Sequence, residues 1–326
     1  MSFTAKIPGM SIAVITGLAA LFLSQHYGAP AMLFALLLGI AMSFLYQDTP
    51  CKDGIEFASN FVLRVGVALL GLRLAFNDLI GLGWETIVAL LVAIITTIII
   101  GIYLARKLGF SKSFGALTGG SVAICGASAA MAITAILPKH KNKERDTLLT
   151  VIGVTSMSTI AMVVYPILAV YLGLDETQSG LFLGGTIHDV AQVVGAGYSV
   201  SEQTGDISTL VKLVRVSMLM PIVIVMLFFI KRYSNTNNQQ TNTTKVPLFL
   251  VVFIVLMVIN SCFNLPELII NTSISFSRFA LVTAIAAIGM KTNFSKLRSV
   301  GFKPIILMLV ETIWIAAFIL AVIYFS

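Results

Sequence analysis

The sequence predicts an all-α polytopic membrane protein with an inverted repeat and two broken or re-entrant helices. Three observations carry this reading. Apolar runs long enough to cross a bilayer follow one another along nearly the whole chain. Two of the apolar stretches are interrupted by glycines and small polar residues in similar patterns. Basic residues collect in alternate loops. The chain is 58% hydrophobic and 11% charged, well below the roughly 25% charged residues of a soluble domain.

The net charge of +7 is spread over loops and has no basic cluster interleaved with aromatics, so no nucleic-acid partner is expected. Cys51, Cys125 and Cys262 are too few and too scattered for a disulfide or zinc framework. No HExxH, GxSxG or Walker motif is present, and His26, His140 and His188 lie far apart. The chain therefore reads as a non-enzyme without metal or cofactor, with the lipid bilayer as its surroundings.

The elements follow in order. The first apolar run, Met10 to Leu23, comes after Lys6 and has no small-residue cleavage site behind it, so it reads as a retained span. Full spans need roughly 20 apolar residues. They are expected near 10–24, 30–46, 58–75, 84–105, 147–170, 208–231, 246–263, 275–291 and 302–325. The broken stretches are 113–137 and 179–200. RYSNTNNQQTNTTK at 232–245 is polar and lacks an apolar face. It reads as a cytoplasmic linker between repeats inside one membrane domain, 1–326.

Two internal similarities support duplication. GLRLAFNDLIGLGWE at 71–85 resembles GMKTNFSKLRSVGFK at 289–303, and TGGSVAI at 118–124 resembles LGGTIHD at 183–189. The positive-inside rule then orients the chain. With the N-terminus inside, Arg106, Lys107 and Lys112 are cytoplasmic. The loop with Lys139, Lys141, Lys143 and Arg145 joins them only if 113–137 enters and leaves on one side. Asp175, Glu176, Glu202 and Asp206 stay outside if 179–200 does the same. Charge thus prefers two hairpins, one from each side, with a crossing broken helix as the rival.

Irregular backbone at membrane depth is tolerated where protein or water satisfies it. Gly119, Gly120, Gly126 and Gly185 let a ligand approach backbone, and half-helix N-termini attract anions. Ser121, Ser128 and Thr186 add hydroxyls, Gln192 an amide, and Cys125 a small neighbour. The alternative is close helix packing by small residues. Lys212 and Arg215, three apart on one helix face, either neutralise a bound dianion or snorkel to the surface, as Arg64 and Arg73 are expected to do. Asp189, with His188 beside it, is either a proton carrier or part of a Thr186–Asp189 capping box. Glu311 is the deepest lone acid outside the broken stretches, expected to pair with a core cation or to take part in coupling.

GGSVAICGASAAMAI, GGTIHDVAQVVGAG, LVKLVRVSMLMPI and LRVGVALLGLRL together resemble the YeiH-like family of proposed sulfate exporters, from about residue 30 onward. That family is grouped with the cation:proton antiporter/anion transporter superfamily. The resemblance implies an inverted-repeat fold with core and panel domains and two broken helices that cross near mid-membrane, against the charge reading. It implies export of a small inorganic or sulfonated anion from the cytoplasm, by alternating access and with possible proton coupling, by a multi-pass protein of the cytoplasmic membrane. An uncoupled anion channel and a cation:proton antiporter are the other readings, and a homodimer is an open assembly state.

Overall fold

The computed structural model describes residues 3–27, 30–47, 49–73, 80–138, 142–233, 248–263, 265–292 and 301–325. All regular structure among them is helical. Seven described helices are long and apolar enough to cross a membrane. These are α1 (Ile7–Tyr27), α3 (Lys52–Leu72), α4 (Gly83–Lys107), α7 (Lys143–Tyr171), the continuous pair α10 (Glu202–Ser217) and α11 (Leu219–Tyr233), α13 (Glu267–Lys291) and α14 (Phe302–Phe325). Shorter helices carry two of the expected spans, α2 (Ala31–Ala41) and α12 (Leu248–Cys262). The protein is a multi-pass membrane protein, and its lipid-facing stripes are visible on α4. There Trp84, Ile87, Val88, Leu91, Val92, Ile95, Ile99 and Tyr103 are exposed at helical spacing, while Leu90, Ala93, Ile94 and Ile98 are buried. The expected linker 232–245 lies, from residue 234 on, outside the described residues, as do Lys139, His140 and Lys141 of the basic loop.

The stretch 113–137 is a hairpin. Helix α5 (Lys112–Ala123) ends at a three-residue break, and α6 (Ala127–Ile136) runs back beside it. Gly120 abuts Ile133 so closely that a Cβ on the glycine would lie 2.3 Å from Ile133 Cδ1. Two positions thirteen apart on one straight helix would be separated by about 20 Å. At the mouth, Ser113, Thr134, Leu137 and Lys143 surround one small hollow. Lys143 Nζ donates to the Leu137 carbonyl at 2.7 Å there.

The stretch 179–200 is a second hairpin. Helix α8 (Glu176–Thr186), a break at 187–189 and α9 (Val190–Val200) fold so that both arms lean on α10. A Cβ on Gly184 would meet Ser208 O at 2.4 Å, and one on Gly197 would meet Ser208 Oγ at 2.1 Å. Thr204 Oγ1 donates to the Glu176 carbonyl across this mouth.

The two mouths lie at opposite ends of α4. Glu85, at its start, shares a hollow with Gln178, and Lys107, at its end, leads into α5. The 25 residues of α4 span about 37 Å, slightly more than a hydrocarbon core of about 30 Å. Arg106, Lys107, Lys112, Lys143 and Arg145 lie at the helix ends around the first hairpin's mouth, which the positive-inside rule makes cytoplasmic. The hairpin reading drawn from charge therefore holds. The crossing helices implied by the family resemblance are corrected by the close pairing of each hairpin's arms.

The helices form two groups. Helices α1, α2, α3 and α13 pack on one another, with α12 against α3. Their backbones come very close, as where Gly39 meets Ala286 and Gly289. Helices α4 to α10 and α14 form the second group, which meets the first chiefly through α9, seated on α2 and α13.

Candidate functional site

The tips of the two hairpins meet inside the second group, where Gly126 lies against His188. Lys212 and Arg215 hold them together. Lys212 Nζ donates to Ile124 O at 2.7 Å and to Ile187 O at 2.9 Å. Arg215 donates through Nε and Nη2 to Ala123 O at 3.1 and 2.6 Å, and through Nη2 to Val122 O at 3.3 Å. Its Nη1 reaches Gly184 O at 2.9 Å and Ile187 O at 3.1 Å. Both side chains are fully buried. A helix C-terminus leaves carbonyls without partners and carries about half a negative charge. One helix thus supplies two cations that neutralise the C-terminal ends of α5 and α8.

This corrects the snorkelling alternative for Lys212 and Arg215, both of which are buried on hairpin carbonyls. The helix begins at Glu202, not near residue 208. That places the two residues about 15 and 20 Å along it, near mid-membrane. Arg64 is exposed, as expected of a snorkelling side chain. Arg73 instead pairs with Glu202 and Asp206.

The other candidate residues lie in four places. Gly119, Gly120, Ser121, Cys125, Gly185 and Thr186 are buried in the packed tips. The glycines there serve helix contact: Gly119 meets α4, Gly120 meets Ile133, and Gly185 meets Ile319. The Ser121 and Thr186 hydroxyls donate back to Leu117 O and Phe182 O. Gly126 makes the first turn with φ of +64°, a conformation favouring glycine. Ser128 is exposed and outside any described cavity. His188 turns away from Asp189, its Nε2 3.0 Å from Thr312 Oγ1 on α14. Glu311 accepts from Thr118 Oγ1 at 2.8 Å and has no ion-pair partner among the described residues, which corrects the expected core cation. Thr186 ends α8 rather than opening a capping box. Asp189 itself is the N-cap of α9, accepting from Ala191 N at 2.8 Å.

Asp189 and Gln192 alone among the candidates line an open cavity of about 300 Å³ on the cytoplasmic side, between the two helix groups. Ser59, Asn60, Lys291 and Thr292 come from the first group, and Thr155, Ser156 and Thr159 from α7. Gln192 Nε2 donates to Thr159 Oγ1 at 2.9 Å, while its buried Oε1 has no partner among the described residues. Ser59 and Asn60 sit in a π-helical turn, Ala58–Val62, a distortion that is frequent at functional sites. A second cavity of about 360 Å³ opens at the other end of α9, lined by Arg73, Tyr198, Glu202 and Arg278. The α7 hydroxyls were visible in VTSMST, a polar cluster within an apolar span. The π turn and Lys291 had no comparable signal.

With this geometry in place, the chain matches the family model described as conserved hypothetical protein 698 over residues 8–308. The chain belongs to this family. It is 47% identical to the UPF0324 membrane protein CT0845 of Chlorobaculum tepidum, over 98% of this chain and 89% of that one. It is 46% identical to the UPF0324 membrane protein TauZ of Paracoccus denitrificans, over 97% and 94%. It is 31% identical to the UPF0324 inner membrane protein YeiH of Escherichia coli K12, over 95% and 91%. No solved structure matches the chain. Membership explains the motif resemblance in the sequence.

Proposed function

We propose that the protein is a secondary transporter that exports a small anion, sulfate or a related sulfur oxyanion or sulfonate, by alternating access. The observation that carries this reading is the pair of cavities at opposite ends of α9. Both lie between the same two helix groups, and α9 packed on α2 and α13 separates them. A rocking of one group against the other would close one cavity and open the other. A channel would need a continuous path, which favours the transporter over the uncoupled alternative. In the inverted-repeat description, the group containing both hairpins is the core and the group of α1, α2, α3, α12 and α13 the panel.

Charge favours an anion. The tips hold two buried cations against two helix C-termini, each about half a negative charge, and the N-termini of α6 and α9 begin beside them. With Asp189 ionised the sum stays positive by about one charge. The cytoplasmic cavity adds Lys291, hydroxyls and amides, with Asp189 as its lining carboxylate. Its volume of about 300 Å³ lies at the low end of ligand pockets. Coupling would run through Asp189, whose charge opposes an anion until it takes a proton.

Proteoliposomes loaded with labelled sulfate or sulfonate, with and without an imposed proton gradient, test this. Uphill, gradient-dependent flux is expected. Flux of alkali cations with no anion movement would establish the antiporter instead. In the same assay Asp189→Asn should keep anion binding and flatten the pH profile of transport. An unchanged profile would leave Asp189 as a cap alone.

A further inference from the structure

The outer cavity contains a second arrangement of charge. Arg73, just past the end of α3, and Arg278, on α13, belong to the first helix group. Both converge on one carboxylate of the second group. Arg73 Nη2 donates to Glu202 Oε2 at 3.2 Å, and Arg278 Nη1 lies 3.2 Å from Glu202 Oε1. Arg73 Nε also holds Asp206 Oδ2 at 2.8 Å, and Tyr198 Oη donates to Asp206 Oδ1 at 2.5 Å. One carboxylate oxygen per guanidinium is the way two arginines clamp a tetrahedral or planar oxyanion. Arginines at the outer end also run against the positive-inside distribution, which a specific role for them would explain.

We infer that Arg73 and Arg278 form an outer oxyanion site that Glu202, the protein's own carboxylate, occupies in this conformation. Glu202 sits at the first position of α10, the helix whose Lys212 and Arg215 carry both hairpin tips. Its release therefore removes two of the three ion pairs that join the outer ends of the groups among the described residues, leaving Arg73 on Asp206. The site stands on the arginines; its action as a latch on the outer path rests on the transport reading above. Glu202 and Arg278 side chains are 58% and 57% exposed. Such pairs contribute about 0.2–1 kcal/mol each, so a departing anion can replace the carboxylate without a large barrier. The exchange keeps the arginines paired in both conformations.

Equilibrium binding tests this without requiring flux. The full chain in lipid nanodiscs is titrated with sodium sulfate at constant ionic strength. Glu202→Gln should tighten sulfate binding roughly tenfold, the combined value of two exposed pairs. Adding Arg73→Ala or Arg278→Ala should remove that gain. The gain should persist when Gln192→Leu disables the inner cavity's amide. Unchanged or weaker binding in Glu202→Gln overturns the site. So does a gain that survives loss of both arginines, or one that Gln192→Leu abolishes, since the anion would then lie elsewhere. Absent flux in proteoliposomes would defeat the transport reading and leave this binding result standing.

Discussion

The two hairpins reach the same place by different local means. In the first, the chain reverses at Gly126 with φ of +64°, and α6 begins without a side-chain cap. In the second, Ile187 and Asp189 on either side of His188 have negative φ and extended backbone, and the Asp189 carboxylate caps α9. The first turn depends on glycine, which offers its helix no side-chain cap. The second depends on a side chain, and that side chain also faces the cytoplasmic cavity. Their shared feature is outside both: the carbonyls at 122–124 and at 184 and 187 are satisfied by one helix. Similar sequence patterns therefore mark where the chain breaks, while what stabilises each break is separate.

Substitution can sharpen that contrast. The largest effect is expected for Arg215→Ala, which orphans carbonyls of both hairpins at once. Breaking a buried charged partnership of this kind costs about 3–5 kcal/mol. Detergent-solubilised protein should then lose its monodisperse peak on size-exclusion chromatography, with Arg215→Lys only partly restoring it because an ammonium lacks the fork. Wild-type thermal stability in Arg215→Ala would remove the clip from the account.

Gly126→Ala comes next. A side chain at that backbone conformation is strained by about 1–3 kcal/mol, so the melting midpoint should fall. The contrasting position is Asp189. Asp189→Ala should cost about 1 kcal/mol as a lost cap, and Asp189→Asn almost nothing, because asparagine caps equally well. If Asp189→Asn destabilises as much as Gly126→Ala, the two turns are more alike than the geometry allows. The smallest effect is expected for Ser128→Ala, at an exposed position, with a stability change within about 0.5 kcal/mol and unchanged anion flux.

Much of the scaffold was legible in the sequence. Apolar runs gave the spans, and the placement of Lys and Arg around 105–112 and 138–146 gave the hairpin topology correctly. The glycine patterns located both breaks to within a few residues. The site was legible only in part. Asp189 and Gln192 line the cavity, but Ser121 and Thr186 spend their hydroxyls on their own helices, a local bond that spacing does not reveal. The partners of Lys212 and Arg215 lie 25 to 93 residues away along the chain, and no local pattern encodes such pairings. Lys291 belongs to the cavity because α13 packs on α2, a tertiary fact.

The clip also constrains how the protein is made. The first hairpin leaves the ribosome well before α10, so its carbonyls at Val122, Ala123 and Ile124 wait for Lys212 and Arg215 to be synthesised. Until then the hairpin tip lacks the donors that let bare backbone rest at membrane depth. Insertion of 112–136 is thus complete only when the chain has passed Arg215, and a chain truncated before that residue should be held at the insertion machinery or degraded.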